Sequence, residues 1–258
     1  MKGSAGVLAL VLAETVTGAA AFAFLSPLWS EVRRGFFKLT GLVVVALSVG
    51  MWAGIAAARE PGSTAGRWSL WLSIAFTLGS LVWLVLLFAR RDRAAQVMGL
   101  GTVPLAMGLM AALAGTSDES WAVSFLQLLT GSVFMGAVVD GLLLGHWYLT
   151  DRRLTRTPIN RFALALIVAV ALEAAAVIAG GFGPSRGNRE FSPILTAAGL
   201  APWVALGMIG TTALIAGMIK ATLRGQRATA VQAATGFFYL AVVCAFAGEL
   251  AAKVRFLP

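Results

Sequence analysis

Residues 162–180 read FALALIVAVALEAAAVIAG, nineteen residues with a single ionisable group, Glu173. At about 1.5 Å per residue a helix of that length covers about 28 Å, close to the roughly 30 Å of a bilayer's hydrocarbon core. A strand of a membrane barrel is only about ten residues long and alternates apolar with polar positions; this run does neither. Without water, backbone N–H and C=O groups must be satisfied inside the segment, which only a helix achieves. Seven other runs share this character: 4–29, 37–58, 68–89, 94–114, 121–149, 194–222 and 228–251. The whole chain is 59% apolar and 12% charged, with a mean hydropathy of +0.86, outside the range of soluble domains. The expected fold is all-α, with eight transmembrane helices and no soluble domain between them.

The net charge of +9 follows topology rather than nucleic-acid binding. Loops after the first, third, fifth and seventh runs carry Arg33, Arg34, Lys38, Arg90, Arg91, Arg93, Arg152, Arg153, Arg156, Arg161, Lys220, Arg224 and Arg227. The opposite side has Lys2, Arg59, Arg67, Arg186, Arg189, Lys253 and Arg255. By the positive-inside rule both termini lie outside the cytoplasm, with Trp52, Trp68, Trp71, Trp121 and Trp203 in an outer aromatic belt and Trp29 and Trp147 at the inner face. The basic surplus then meets membrane lipids. The first run opens on Lys2 as a signal peptide does, but Glu14 in its middle and its length of about 25 residues predict that it is retained. Cys244 is the single cysteine, so no disulfide forms within the chain. The alanine- and arginine-rich usage fits a bacterial inner membrane.

Gly18, Trp29, Arg34 and Lys38 recur at the same spacing as Gly136, Trp147, Arg152 and Arg156. This suggests parallel repeat halves, 1–116 and 117–258, each a four-helix bundle, an arrangement found in some transporters and in paired bundles. Gly131, Gly136, Gly141 and Gly145 on the fifth run and Gly207, Gly210 and Gly217 on the seventh are expected to let helices pack closely. Pro27, Pro104 and Pro202 are candidates for kinks.

Four carboxylates interrupt the apolar runs: Glu14, Asp140, Glu173 and Glu249. Each costs several kcal/mol at the bilayer centre, so each faces the interior, finds a partner or does work. The topology places Glu14, Glu173 and Glu249 in the outer half and Asp140 deeper. Lys253 follows Glu249 at i+4, the favoured order for a helical ion pair, which reads as an anchor near the interface. Glu14 has Thr17 and Gly18 on its face. Glu173, among alanines, needs either a group from another helix or a proton of its own. Asp140 beside Gly141 reads as a buried interhelical acceptor, and His146, the only histidine, as an interfacial polar residue. Asp140 and His146 are six positions apart, about 120° around the helix, too far for a pair.

Haem held by two histidines, a zinc site, a phosphate-cradling glycine loop and a nucleophile elbow all lack their spacing here. A redox role therefore requires a diffusible quinone and a cofactor held by another subunit. The stretch Gly248-Glu249-Leu250-Ala251-Ala252-Lys253-Val254-Arg255-Phe256 resembles the end of the last helix in the membrane anchors of the dimethyl-sulfoxide-reductase, polysulfide-reductase and NrfD type. Gly248, Glu249, Leu250 and Phe256 match; Lys253 stands where arginine is usual, and Ala252 replaces a second glycine. No counterpart of that family's histidine is evident.

The resemblance implies a haem-free subunit of a respiratory-type redox complex that docks an iron–sulfur subunit and its catalytic partner. It implies a menaquinone or ubiquinone site near the outer face. Glu173, Glu249 and Glu14 are then the candidate proton-handling groups, and Lys253, His146 and Asp140 further candidate quinone-binding residues; no haem or metal is expected in this chain. The polar loop 182–193, with Arg186, Asn188, Arg189 and Glu190, is the expected docking surface. The competing expectations are a proton-coupled transporter built around Asp140 and Glu14, and a purely structural membrane subunit.

Overall fold

The computed structural model describes residues 1–25, 28–151, 153–181, 200–225 and 229–254. Outside the described residues lie the expected docking loop 182–193, the first residues of the 194–222 run, and Pro27, Arg152, Arg227, Arg255 and Phe256. The elements are α1 (Gly3–Leu25), a single turn α2 (Leu28–Glu31), α3 (Arg34–Ala58), α4 (Thr64–Phe88), α5 (Asp92–Ala114), α6 (Trp121–Thr150), α7 (Thr157–Ala179), α8 (Leu200–Arg224) and α9 (Ala230–Val254). Eight of these are long and apolar enough to cross a membrane, so the chain is an all-α, multi-pass protein.

The ends of the helices follow local chemistry. The Ser63 hydroxyl accepts from Gly66 N at 3.1 Å to cap α4, and the Ser120 hydroxyl accepts from Val123 N to cap α6. Pro158 occupies the first turn of α7, where its missing N–H costs no hydrogen bond. Gly62 turns the chain between α3 and α4 at φ +90°, a conformation open to glycine. Pro104 lies inside α5, which continues through it. Within the spans, hydroxyls return to their own helices: Thr15 donates to Val11 O, Thr17 to Ala13 O and Thr235 to Val231 O. A lone hydroxyl in lipid is satisfied this way without a partner helix.

α1 packs on α3, α3 on α4, α4 on α5, and α5 returns to α1; α6, α7, α8 and α9 close a second circuit in the same order. The circuits meet mainly along α1 and α6, with α5 also touching α6 and α9 touching α1. At the centre of that seam Gly18 and Gly136 face each other so closely that a Cβ on Gly136 would overlap the backbone of Gly18. Gly141 and Gly145 make similar room for Phe238 and Thr235 of α9.

The glycines of α8 do otherwise. A Cβ added to Gly207, Gly210 or Gly217 would meet nothing within 4 Å. The expectation that they mediate close packing is therefore corrected: among the described residues they face outward, because α8 turns its buried side, Ala205, Ile209, Thr212 and Ala216, toward its neighbours.

The described tryptophans of the expected outer belt, Trp52, Trp68, Trp71, Trp121 and Trp203, are exposed, whereas Trp83 is wholly buried and packs edge-on against Phe24. Lys2 ties the chain start to the α3–α4 turn, through a 2.9 Å ion pair with Glu60 and a backbone bond to Ala58 O. Each partner favours the charged form of the other, raising Lys2 and lowering Glu60 from their ordinary pKa values. At the opposite face Arg33 pairs with Asp151, Arg34 with Asp92 and Arg161 with Glu31.

Candidate proton-exchange site

Three of the four carboxylates converge. Lys253 Nζ lies 2.7 Å from Glu14 Oε1 and 3.2 Å from Glu249 Oε2, joining α1 to α9. Glu173 of α7 stands close enough to Glu249, Lys253 and Thr130 to interact with all three, although its oxygens complete no regular hydrogen bond among the described residues. Gly131 of α6 makes the space: a Cβ there would collide with the Glu14 carboxylate. Glu14, Glu173 and Glu249 are 0% exposed and Lys253 2%. The expectation of an interfacial Glu249–Lys253 anchor is corrected. The i+4 pair exists but is wholly buried, because α9 packs against α1 and α6 and its Lys253 reaches Glu14 of α1.

Burying an ion costs several kcal/mol even after relaxation, so the charge balance of this cluster matters. If all were ionised, three carboxylates against one ammonium would leave a net charge of −2 with no water around it. Only two of the six carboxylate oxygens, Glu14 Oε1 and Glu249 Oε2, meet the ammonium. Neutrality requires two further positive charges, and protons on the carboxyl groups are the smallest way to supply them. The arrangement is chemically suited to taking up and releasing protons.

Two spaces flank the cluster. Toward the face that carries Met1, a crevice of about 20 Å³ is lined by Glu173, Lys253, Gln127 and Glu119 among others; that is room for one water molecule. Sequence reasoning missed Gln127 and Glu119, which carry no signal of their own and gain meaning only by facing Glu173. On the inward side lies an apolar cavity of about 440 Å³ between α1, α4, α5 and α6, lined by Phe22, Phe76, Thr102, Met110, Thr17 and Ser132 among others. Its polar points are few. Thr17 Oγ1 and Ser132 Oγ are 3.1 Å apart, and Ser132 also lies 3.5 Å from Met110 Sδ. Thr17 is one helical turn inward of Glu14, so the cavity wall and the cluster share one stretch of α1.

The remaining candidates stand apart. Asp140 is 0% exposed and has no hydrogen-bond partner among the described residues, which corrects its reading as an interhelical acceptor. It is nine residues beyond Gly131, about 13 Å along α6, and the close contact of Gly18 with Gly136 lies between it and the acid cluster. His146 is near the far end of α6 and meets Tyr239 Oη through Nε2 at 2.7 Å. Neither reaches Glu14.

Comparison with known proteins gives no match to any family model, curated protein or solved structure. The resemblance thus rests on the sequence match at Gly248, Glu249, Leu250 and Phe256 alone.

Proposed function

We propose that this protein is a haem-free membrane subunit of a respiratory-type redox complex, binding a quinone within the bilayer and exchanging its protons through the Glu14–Glu173–Glu249–Lys253 cluster. In this reading the two helix circuits are tandem four-helix bundles in a bacterial inner membrane. Both termini face outward, and iron–sulfur and catalytic subunits are the partners. The observation that carries it is the position of a buried, charge-deficient acid cluster between an apolar cavity and a water-sized crevice.

The chain's residues fit such a ligand in two respects. A space of about 440 Å³ with a few convergent polar atoms lies within the usual range for a small-molecule site of roughly 300–1,000 Å³. The hydroxyls of Thr17 and Ser132, 3.1 Å apart on its wall, are groups able to meet a ring oxygen. A bound quinone supplies two-electron, two-proton chemistry. Glu14, one turn outward, is the first carboxylate available to the proton; Lys253 orients Glu14 and Glu249; Glu173 hands the proton to the crevice beside Gln127 and Glu119. The order of these groups gives the transfer a direction, outward.

Isolation from native membranes together with hydrophilic redox subunits, and labelling of α1 or α6 by a photoreactive quinone analogue, is the expected result. In that complex Glu173→Gln should slow quinol oxidation about a hundredfold, the lower range for loss of a positioned acid–base group, with quinone labelling retained. Isolation as a lone homomer that takes up no quinone would overturn the reading. Unchanged turnover in Glu173→Gln would remove that residue from the path.

One observation favours a second reading: the cluster is assembled from α1, α7 and α9, far apart in sequence, as in transporters whose site lies between repeats. A proton-coupled transporter would catalyse substrate-dependent proton flux in vesicles containing this chain alone, which a quinone anchor would not.

A further inference from the structure

At the face opposite the acid cluster, the groove between the start of α7 and the end of α8 gathers three cations. Arg156 donates through Nη1 to Gly225 O at 2.6 Å, which holds its guanidinium against the end of α8. One turn on, Asn160 donates to Arg156 O at 2.9 Å and accepts from Lys220 Nζ at 3.4 Å. Arg161 completes the set, paired on one side with Glu31 at 2.7 Å. These residues, with Leu164, line a space of about 400 Å³. The groove thus gathers three basic side chains, and an ammonium carries three donors, so Lys220 has more to offer than its one long bond to Asn160 among the described residues.

The surface toward the membrane from this groove is apolar and open. Leu164 and Val168 of α7 lie on the same helix face as Asn160 and Arg161 and are about half exposed. On α8 the residues toward the membrane from Lys220 are apolar: Gly217, one turn away, meets nothing within 4 Å, and Leu214 is 73% exposed. A cationic cradle at the membrane boundary continued by an uncovered apolar valley matches a molecule with an anionic head and hydrocarbon chains.

We infer that the α7–α8 groove is a binding site for an anionic phospholipid, its phosphodiester held by Lys220, Arg161 and Arg156 and its acyl chains lying along Leu164, Val168 and Gly217. The site is independent of the quinone reading, since it shares no residue with the acid cluster or the apolar cavity. Its basic residues belong to the face with most of the chain's cationic loops, where anionic headgroups attract such clusters. The chemistry selects a lipid over a free anion because the valley gives the chains something to cover; inorganic phosphate would use the cations alone.

The test is lipid retention by the purified full-length protein. Detergent-solubilised protein is exchanged against phosphatidylglycerol or phosphatidylcholine and bound lipid is counted by native mass spectrometry. Phosphatidylglycerol should be retained selectively. Lys220→Gln should weaken it about fivefold and Lys220→Gln with Arg161→Gln about 25-fold, following the cost of one juxtamembrane cation at a time; Lys220→Arg should keep it. Arg90→Gln with Arg91→Gln removes the same charge from the same face outside the groove and should leave retention unchanged. Equal loss in that control, equal binding of the two lipids, or displacement of the lipid by inorganic phosphate at matching concentration would each overturn the site. Among the described residues Lys220 makes one hydrogen bond, a long one to Asn160 of α7, so its variants test the groove at the loss of a single weak contact between α7 and α8.

Discussion

Lys253 holds the position on which the residue scale turns. Among the described residues its ammonium is the only cation within ion-pair reach of Glu14 and Glu249, and it is buried with them. Removing one partner of a buried pair is far costlier than removing a surface one, because the remaining charge stays desolvated: about 3–5 kcal/mol against at most about 1 kcal/mol. Lys253→Met should therefore lower the detergent-solubilised protein's stability by about 3–5 kcal/mol, seen as a large fall in thermal midpoint. Adding Glu14→Gln should recover part of it, since one uncompensated carboxylate is then gone. A loss under 1 kcal/mol would mean that the ammonium contributes no more than a surface anchor. The sequence made each of these residues visible as a polar interruption in an apolar run. It gave Lys253 only its i+4 neighbour Glu249, because helical spacing is a local rule and says nothing of a carboxylate 239 positions earlier in the chain, at Glu14.

At the scale of elements, α1 and α6 meet through glycine and α8 shows glycine to its surroundings. Both stripes look alike in sequence, where small residues at helical spacing are the common sign of close packing in membranes. Structure separates them. Gly136→Val forces a branched side chain into the backbone of Gly18, an overpacking whose cost is about 1–3 kcal/mol or more, and it should spread α1 from α6 and carry the Glu14–Lys253 pair with it. Gly210→Ala meets open space and should be neutral or stabilising by up to about 1 kcal/mol, the helix-propensity difference. Thermal unfolding of the two variants in one detergent checks both signs; equal destabilisation would show that α8 also packs through its glycines. Helix limits were legible to within a few residues where an apolar run fills its helix, as 94–114 does α5 (Asp92–Ala114) and 121–149 does α6 (Trp121–Thr150). That the first run holds both α1 and the separate turn α2 was signalled only by Pro27, since Leu28 and Trp29 are as apolar as the helix before them.

For the whole molecule, the basic loops and the acid cluster sit toward opposite ends of the helices, so in the proposed function orientation in the membrane sets the direction of proton release. In a Cys244→Ser background, an impermeant maleimide added to intact cells should label a cysteine at Ser117, on the same side as Met1. A cysteine at Arg90 should be labelled only after permeabilisation; the reverse pattern would invert the proposed topology and with it the outward direction of proton release. The sequence by itself determined that the chain is an all-α membrane protein with eight spans, because hydrocarbon leaves the backbone no other way to satisfy its hydrogen bonds and because run length is a property of the chain alone. It also singled out Glu14, Asp140, Glu173 and Glu249, because charge in an apolar run is conspicuous wherever it falls. Only the tertiary structure decided that Glu14, Glu173 and Glu249 share Lys253, that Asp140 and His146 stand apart, that the cluster lies between a cavity and a crevice, and that Lys220 and Arg161 border one groove. Each depends on which helices are neighbours and how each is rotated about its axis. Those are set by the sum of many weak packing contacts across the bundle, which no single stretch of sequence contains.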